Sequence, residues 1–291
     1  MIMQKFTPKN WLTQIDRHKV TFSIAVSSQL EMILRELRDT ESDISSLRCI
    51  VCCCSLLKDD IKSQLIKEMR CDFHECYGAS EVGTVSNLSP DTSLKKLHTV
   101  GKAVPGVEIR IVDDKRDPVA MGEIGEIACK SKMRFPRYYN NEQATQQSME
   151  GGFFYTGDMG CLDEDGYLIF SGRKKEIIIT GGTNVYPMDI EAVLNTHPKV
   201  KECAVIGVED KRFGEAVVAF IISAEGEALS SRELQLYCLH RLADFQQPLA
   251  YVFVDDFPRT ELGKVLKQRL ANQYSGYDLT AGLRNVLRDN E

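Results

Sequence analysis

Apolar and polar positions change their period three times along the chain, and each change marks a new kind of element. Leu30, Ile33, Leu34 and Leu37 recur at the three- and four-residue spacing of one helical face. Ser28-Gln29-Leu30-Glu31 has the form of a capping box and predicts where that helix starts. Leu47 to Cys54 is instead an almost uninterrupted apolar run, which suits a parallel strand buried on both faces. Ile61, Leu65, Ile66 and Met69 then mark a second helix, and Cys71 to Tyr77 alternates as a further strand. Strand, helix and strand in that order predict a βαβ arrangement.

From Val107 the pattern shortens. Val107, Ile109 and Ile111 alternate with Glu108 and Arg110, and turns such as Asp113-Asp114-Lys115 follow, so a small antiparallel β unit is expected over Gly101 to Phe170. Beyond Arg173, Pro187 opens a helix with Ile190, Val193 and Leu194 inward, and Val200 to Val208 and Ala216 to Ile222 read as paired strands. Ser231 is expected to cap a helix containing Leu234, Cys238 and Leu242. Tyr251 to Val254 reads as a strand, and Val265 to Leu270 as the start of a last helix. The predicted architecture is α/β: a partial αβ sheet subdomain (1–100) and a small antiparallel β unit (101–174), followed by a small α+β C-terminal domain (175–291).

Composition narrows the function classes. The chain has 291 residues, 43% of them apolar, and a formal net charge of −6 with no Lys/Arg run longer than three, which argues against a nucleic-acid or anionic-membrane partner. No apolar run is long enough to span a bilayer, and the first eleven residues carry Lys5 and Lys9 without a signal-peptide core. Ten cysteines outside a short secreted framework are expected to be reduced thiols of a cytoplasmic protein.

Some of those cysteines invite a metal reading. Cys49-x2-Cys52 and Cys71-x2-His74 are separated by eighteen residues, near a zinc-ribbon spacing. Residues three apart on a strand point to opposite faces, however, and buried free cysteine fits Cys49 and Cys52 better. Gly263-Lys264 lacks the upstream glycine and following hydroxyl of a Walker loop, and no G-x-G-x-x-G follows a strand.

The remaining chemistry lies in turns. Tyr77-Gly78-Ala79-Ser80-Glu81, Gly122-Glu123-Ile124-Gly125-Glu126-Ile127, Tyr155-Thr156-Gly157-Asp158, Gly172-Arg173-Lys174-Lys175-Glu176 and Pro258-Arg259-Thr260-Glu261-Leu262-Gly263-Lys264 follow one another in a fixed order. That order and its spacings resemble the adenylate-forming, AMP-binding superfamily, and the match covers Val20 to Leu270. Gly181-Gly182-Thr183-Asn184-Val185-Tyr186-Pro187 is more similar to the acyl-CoA synthetase branch than to the peptide-synthetase branch. The resemblance implies a ligase that activates a carboxylic acid with ATP to an acyl-adenylate and passes it to coenzyme A, using Mg2+.

It also implies roles. Glu81 resembles the magnesium ligand, with Ser80 in place of the usual Thr beside the phosphate and Gly78 in the same nucleotide-binding turn. Tyr77 and Phe170 resemble the aromatic groups on the nucleotide, with plain core packing the alternative for both. Asp158 resembles the carboxylate that accepts both ribose hydroxyls, and Arg173 the guanidinium that reaches ribose and phosphate. Lys264 resembles the catalytic lysine; as a cation at a helix start, it is expected to be poised for an anion. Lys175 resembles the hinge, and Gly181 and Gly182 the loop presented for thioester formation.

Two departures qualify that picture. Cys53-Cys54-Ser55 stands where the family has Gly-Gly-Ala beside adenine. The resemblance also places residue 1 in the middle of the large domain, so 1–174 is expected to be a truncated large domain and 175–291 the whole small domain. The phosphate-holding Ser/Thr/Gly-rich loop would lie upstream, and open apolar sheet surface is expected to be covered by an N-terminal half-enzyme or a second copy. The alternative to a ligase is a non-catalytic homologue that binds nucleotide, acyl group or partner.

Overall fold

The computed structural model describes residues 3, 5–53, 56–92, 94–260 and 263–274. Two compact units divide at Phe170 and Ser171.

The first unit opens with α1 (Pro8–His18), where Thr7 caps the Asn10 N–H and Pro8 takes the first helical position, whose N–H needs no partner. β1 (Phe22–Val26), α2 (Ser27–Asp39), β2 (Cys49–Cys53), α3 (Asp59–Met69) and β3 (Asp72–Ala79) follow, and β1, β2 and β3 are parallel neighbours. β4 (Gly83–Leu88) and the short β5 (Lys102–Ala103) complete this sheet antiparallel, in the order β1-β2-β3-β4-β5. The first helix and strand carried usable signals, Thr7-Pro8 and the 11, 12, 15 spacing of Trp11, Leu12 and Ile15, that the periodicity reading passed over.

Two expectations are corrected here. α2 begins one residue before the proposed Ser28 cap, and the Val26 N–H is taken by the Gln29 side chain at 3.2 Å. β2 is not buried on both faces: Ile50 and Cys52 are buried against Leu30, Ile33, Leu65 and Met69, while Cys49, Val51 and Cys53 are half-buried. The register pairs Phe22 with Cys49 and Ile24 with Val51, which puts all four on the second face, where Phe22 is 52% and Ile24 60% exposed. That face is apolar and open, because the three helices whose buried residues share this core lie on the other side.

A second sheet has the order β10-β9-β7-β6, built from β6 (Val107–Val112), β7 (Gly125–Ser131), β9 (Phe153–Leu162) and β10 (Leu168–Arg173), with β8 (Met149–Glu150) pairing β9 after α4 (Glu142–Ser148). Val82 and Val85 near β4 share a core with Cys129 and Phe154 of this sheet.

In the second unit, β11 (Ile178–Thr180) and β12 (Thr183–Val185) form a hairpin, and α5 (Pro187–Leu194) precedes the long antiparallel pair β13 (Val200–Asp210) and β14 (Gly214–Ser223). α6 (Ser231–Leu239), β15 (Ala250–Phe253, parallel to β14) and α7 (Lys267–Gln273) follow. β14 is buried on both faces: Val217, Ala219 and Ile221 pack with residues of α5 and α6, and Val218, Phe220 and Ile222 pack with Leu270 of α7. The α6 cap is Ser230, not Ser231, since its hydroxyl accepts the Glu233 N–H, and Leu242 lies past the helix end. The observed class is mixed α/β in the first unit and α+β in the second.

Candidate active site

Tyr77 and Gly78 occupy the end of β3, where the register against β4 shifts between them. A Cβ on Gly78 would lie 2.2 Å from the Gly83 carbonyl oxygen, so only glycine lets the strands close this far. The turn that follows carries exposed Ser80 and half-buried Glu81. Glu81 is held twice by one segment: its Oε1 accepts the Tyr138 hydroxyl at 2.9 Å, and its carbonyl accepts the Phe135 N–H at 2.7 Å.

Asp158 comes to the same region from a bulge. β9 places Thr156, Gly157 and Asp158 opposite the single residue Ile127 of β7, because pairing resumes only at Met159. Gly157 supplies the left-handed backbone (φ +70°) and its N–H donates to Glu126; the Thr156 hydroxyl donates to the Ile127 carbonyl and accepts the Asp158 N–H. The bulge turns Asp158, buried at 5% exposure, toward β3, where its Oδ2 accepts the Tyr77 hydroxyl at 2.8 Å. Burial, with the Asp158 charge added, holds the Tyr77 phenol well above its ordinary range. Phe170 lies against the Tyr77 ring, centroids 5.7 Å apart and tilted by 46°. Tyr77, Asp158 and Phe170, predicted from separate motifs, are thus brought together.

Behind Tyr77 lies a buried ion pair that the sequence reading missed. Lys62 is fully buried, and its ammonium reaches the Leu97 carbonyl (2.6 Å), the Thr99 carbonyl (3.3 Å) and Glu75 Oε2 (2.6 Å). Glu75 Oε1 accepts the Leu57 N–H at 2.9 Å, which ties β3 to the turn following β2. Burial pushes the Glu75 carboxyl up, while the Lys62 charge works against it. A signal existed, because Lys62 falls in register with Leu65 and Met69 on the buried face of α3. Tyr138 was also missed, and no periodicity marks it. Cys54 and Ser55, from the turn that departs from Gly-Gly-Ala, lie outside the described residues, as do Glu261 and Leu262.

In the second unit, Arg173 is exposed at the end of β10, after Gly172 at φ +117°, and exposed Lys175 sits in a 3₁₀ turn, Lys174–Glu176. Gly181 (φ +57°) and Gly182 (φ +82°) are the two-residue turn joining β11 to β12, a conformation that needs positive φ at both positions. No atom lies within 4 Å of where either Cβ would stand, so this backbone faces open space.

Lys264 is exposed, and the expected helix start is corrected: α7 begins at Lys267, and Val265 instead forms a bridge with Arg259. The dipole argument therefore does not apply to Lys264. Lys267 occupies the helix end, paired with Glu191 at 2.7 Å and Glu176 at 3.6 Å. What shapes the Lys264 loop is Arg259, whose two guanidinium nitrogens meet Glu202 at 3.0 and 2.6 Å while one also donates to the Gly263 carbonyl. The Lys264 N–H donates to the Thr260 hydroxyl.

Comparison with known proteins gives a consistent answer. Residues 1–139 match the model of the AMP-binding enzyme family, and residues 189–264 match that of the AMP-binding enzyme C-terminal domain. Indoleacetate–CoA ligase of Aromatoleum aromaticum is 36% identical over 267 residues, covering 90% of this chain and 52% of the relative. 2-Succinylbenzoate–CoA ligase of Bacillus velezensis is 36% identical over 274 residues, covering 93% and 54%. Among solved structures, amide bond synthetase McbA from Marinactinospora thermotolerans aligns at a TM-score of 0.88 with 31% identity, over 94% of this chain and 57% of that one. O-succinylbenzoate coenzyme A synthetase from Bacillus subtilis, in complex with ATP and magnesium ion, aligns at 0.83 with 33% identity, over 92% and 55%. The chain spans about half the length of the curated relatives it matches. With both family models matched in order, and the Tyr77, Asp158 and Lys264 motifs on the strands and turns described above, the chain belongs to the AMP-binding enzyme family.

Proposed function

We propose that this chain carries the nucleotide-handling part of an acid–thiol ligase of the acyl-CoA synthetase type, which activates a carboxylic acid with ATP to an acyl-adenylate and transfers the acyl group to coenzyme A. The observation that carries this reading is the meeting of Tyr77 with Asp158, 81 residues away in sequence, and with Phe170. Asp158 already accepts a hydroxyl, from Tyr77, which is the donor a ribose diol would offer. Gly78 lets β3 and β4 close tightly beside Tyr77, and Ser80 keeps a hydroxyl for phosphate.

Glu81 would hold Mg2+, since a turn carboxylate with one oxygen already engaged leaves the other to a hard cation. When bound, the cation offsets the negative charge that gathers on the α-phosphate as the carboxylate attacks. Arg173 reaches ribose and phosphate, and Lys264 supplies a mobile cation to the first transition state. Lys175 is the hinge between 1–174 and 175–291, and the Gly181-Gly182 turn offers open backbone to the incoming thiol.

ATP–pyrophosphate exchange over a panel of carboxylic acids tests the reading. Exchange with at least one acid when an N-terminal half-enzyme is supplied supports it, the chain alone being expected to show little; binding of AMP with no exchange for any acid even then favours a second reading, a non-catalytic nucleotide- or acyl-binding homologue. Cys53-Cys54-Ser55 in place of Gly-Gly-Ala is the sequence observation on that side, because two glycines that would let backbone approach a base closely are replaced. The open apolar face around Phe22 and Ile24 supports a covering polypeptide, an N-terminal half-enzyme or a second copy, and sedimentation as a compact monomer would remove that part. A cytoplasmic location accords with the cysteines, none of which is disulfide-bonded among the described residues, and no helix there is long and apolar enough to cross a membrane.

A further inference from the structure

The Glu81 carboxylate is oriented by a segment well removed in sequence. Tyr138, 57 residues away, donates its hydroxyl to Oε1 at 2.9 Å. That tyrosine is itself fixed: its N–H donates to the Thr145 hydroxyl at 3.0 Å, and Thr145 in turn donates to the Asn141 carbonyl in the first turn of α4. Phe135 stands edge-on to both Tyr138 (4.7 Å) and Phe154 (5.9 Å), and its N–H closes the contact on the Glu81 backbone. A hydroxyl with this much support costs little to hold in place and is hard to displace.

We propose that Tyr138 is a positioning residue that makes Glu81 a one-oxygen ligand and thereby selects a small divalent cation. The proposal rests on the reading of Glu81 as the magnesium ligand. With its proton on Oε1, Tyr138 removes one lone pair of that oxygen and fixes the carboxylate plane, so Oε2 alone is presented. Magnesium takes carboxylates through one oxygen at about 2.0–2.1 Å in near-ideal octahedra and keeps several waters, whereas calcium readily takes both oxygens at about 2.3–2.6 Å. An oriented, half-occupied carboxylate therefore favours the smaller ion.

The test measures ATP binding by the full chain as a function of magnesium chloride or calcium chloride, comparing wild type, Tyr138→Phe and Glu81→Gln. Removing a group that orients a metal ligand costs roughly 10–100-fold in metal affinity. Tyr138→Phe is expected to raise the magnesium requirement by about tenfold and the calcium requirement much less, so that discrimination narrows. The phenylalanine ring keeps the packing on Phe135, and Trp11 fluorescence should show an unchanged unfolding midpoint. Equal shifts for both ions would mean that Tyr138 only braces the loop, and would overturn the proposal. No shift in Tyr138→Phe, with metal dependence lost in Glu81→Gln, would overturn it while leaving Glu81 as the ligand. Metal-independent ATP binding by wild type, or metal dependence that survives Glu81→Gln, would overturn both.

Discussion

Tyr77, Glu81 and Asp158 in the first unit are each held by a partner side chain or a bulged strand, whereas Lys175 and Lys264 in the second stand exposed on turns. The contrast is the one that the proposed roles of these groups ask for. A side chain that fixes a bound nucleotide gains from being oriented beforehand, because the ordering entropy is then met during folding and not at binding. A cation needed at a transition state is better left hydrated until negative charge arrives, since an interaction made only then speeds the step. The second unit accordingly spends its packing on the loop around Lys264, through Arg259 and Glu202, and leaves the ammonium outside.

The strongest way to break the comparison is through Lys264. In an enzyme reconstituted with an N-terminal half, Lys264→Ala should lower acyl-adenylate formation by on the order of 10²–10³-fold, the size seen when one preorganised transition-state partner is removed. Thioester formation from supplied acyl-adenylate should be nearly unchanged. Lys175→Pro should do the reverse, because a fixed φ blocks rotation at a hinge and not the first chemistry. Separate assays of the two half-reactions check this, and equal losses in both for both variants would end the assignment of distinct roles.

On the first unit, Asp158→Ala should weaken AMP binding by roughly ten- to a hundredfold, since a hydrogen bond to a charged group contributes about 1.5–3 kcal/mol. Tyr77→Phe removes only the hydroxyl that Asp158 accepts in the free protein and should cost less. Calorimetric titration with AMP distinguishes them; an Asp158→Ala variant that binds like wild type would remove Asp158 from the site.

The two units also differ in what their glycines face. Gly78→Ala drives a Cβ to 2.2 Å from a backbone oxygen and should destabilise the first unit by about 1–3 kcal/mol, as overpacking does. Gly182→Ala meets nothing within 4 Å and carries only the strain of φ +82°, about 1 kcal/mol. Trp11, the single tryptophan, reports the first unfolding; circular dichroism during heating reports the second. A larger loss in Gly182→Ala would mean that its turn is more constrained than its surroundings show.

How much of this was legible depends on how local each cause is. Helical and strand periods were, because the core faces of α2, α3, α5 and β14 repeat within one element. The α6 cap slipped by one at Ser230-Ser231, because either hydroxyl satisfies the pattern, and the α2 cap by two, because Val26 takes the cap position with the Gln29 side chain on its N–H and no serine hydroxyl involved. The apolar run at β2 looked doubly buried because the sequence cannot say which face has helices over it. Tyr155-Thr156-Gly157-Asp158 read as a turn, and neither its bulged geometry nor the Asp158 partner in β3 could be seen, since an 81-residue contact leaves no periodic trace. Tyr138 was hidden for the same reason. Lys62 was legible in principle and was overlooked, because lysines on helices are so often solvated.

The smallest effect expected is at the turn that leads into β10 and Phe170. Asp163 accepts the Lys96 ammonium at 2.6 Å and the N–H groups of Asp165 and Tyr167 at 3.0 and 2.8 Å. Burial alone would raise its pKa, but the Lys96 hydrogen bond and charge together with the backbone donors outweigh it, so the carboxyl lies below its usual range. The sign follows from linkage: a depressed folded-state pKa stabilises above the unfolded value, near 4, and that contribution is lost as pH falls through the lower folded value. Asp163→Asn should therefore reduce stability at pH 7 and converge with wild type as the pH drops below 4. The difference should be smaller than in Gly182→Ala, because ion pairs open to water contribute little. Urea unfolding followed by Trp11 fluorescence at pH 7, 5 and 3.5 measures it. A gap between the two proteins that stays constant with pH would show that the turn depends on the shape of the side chain and not on its charge.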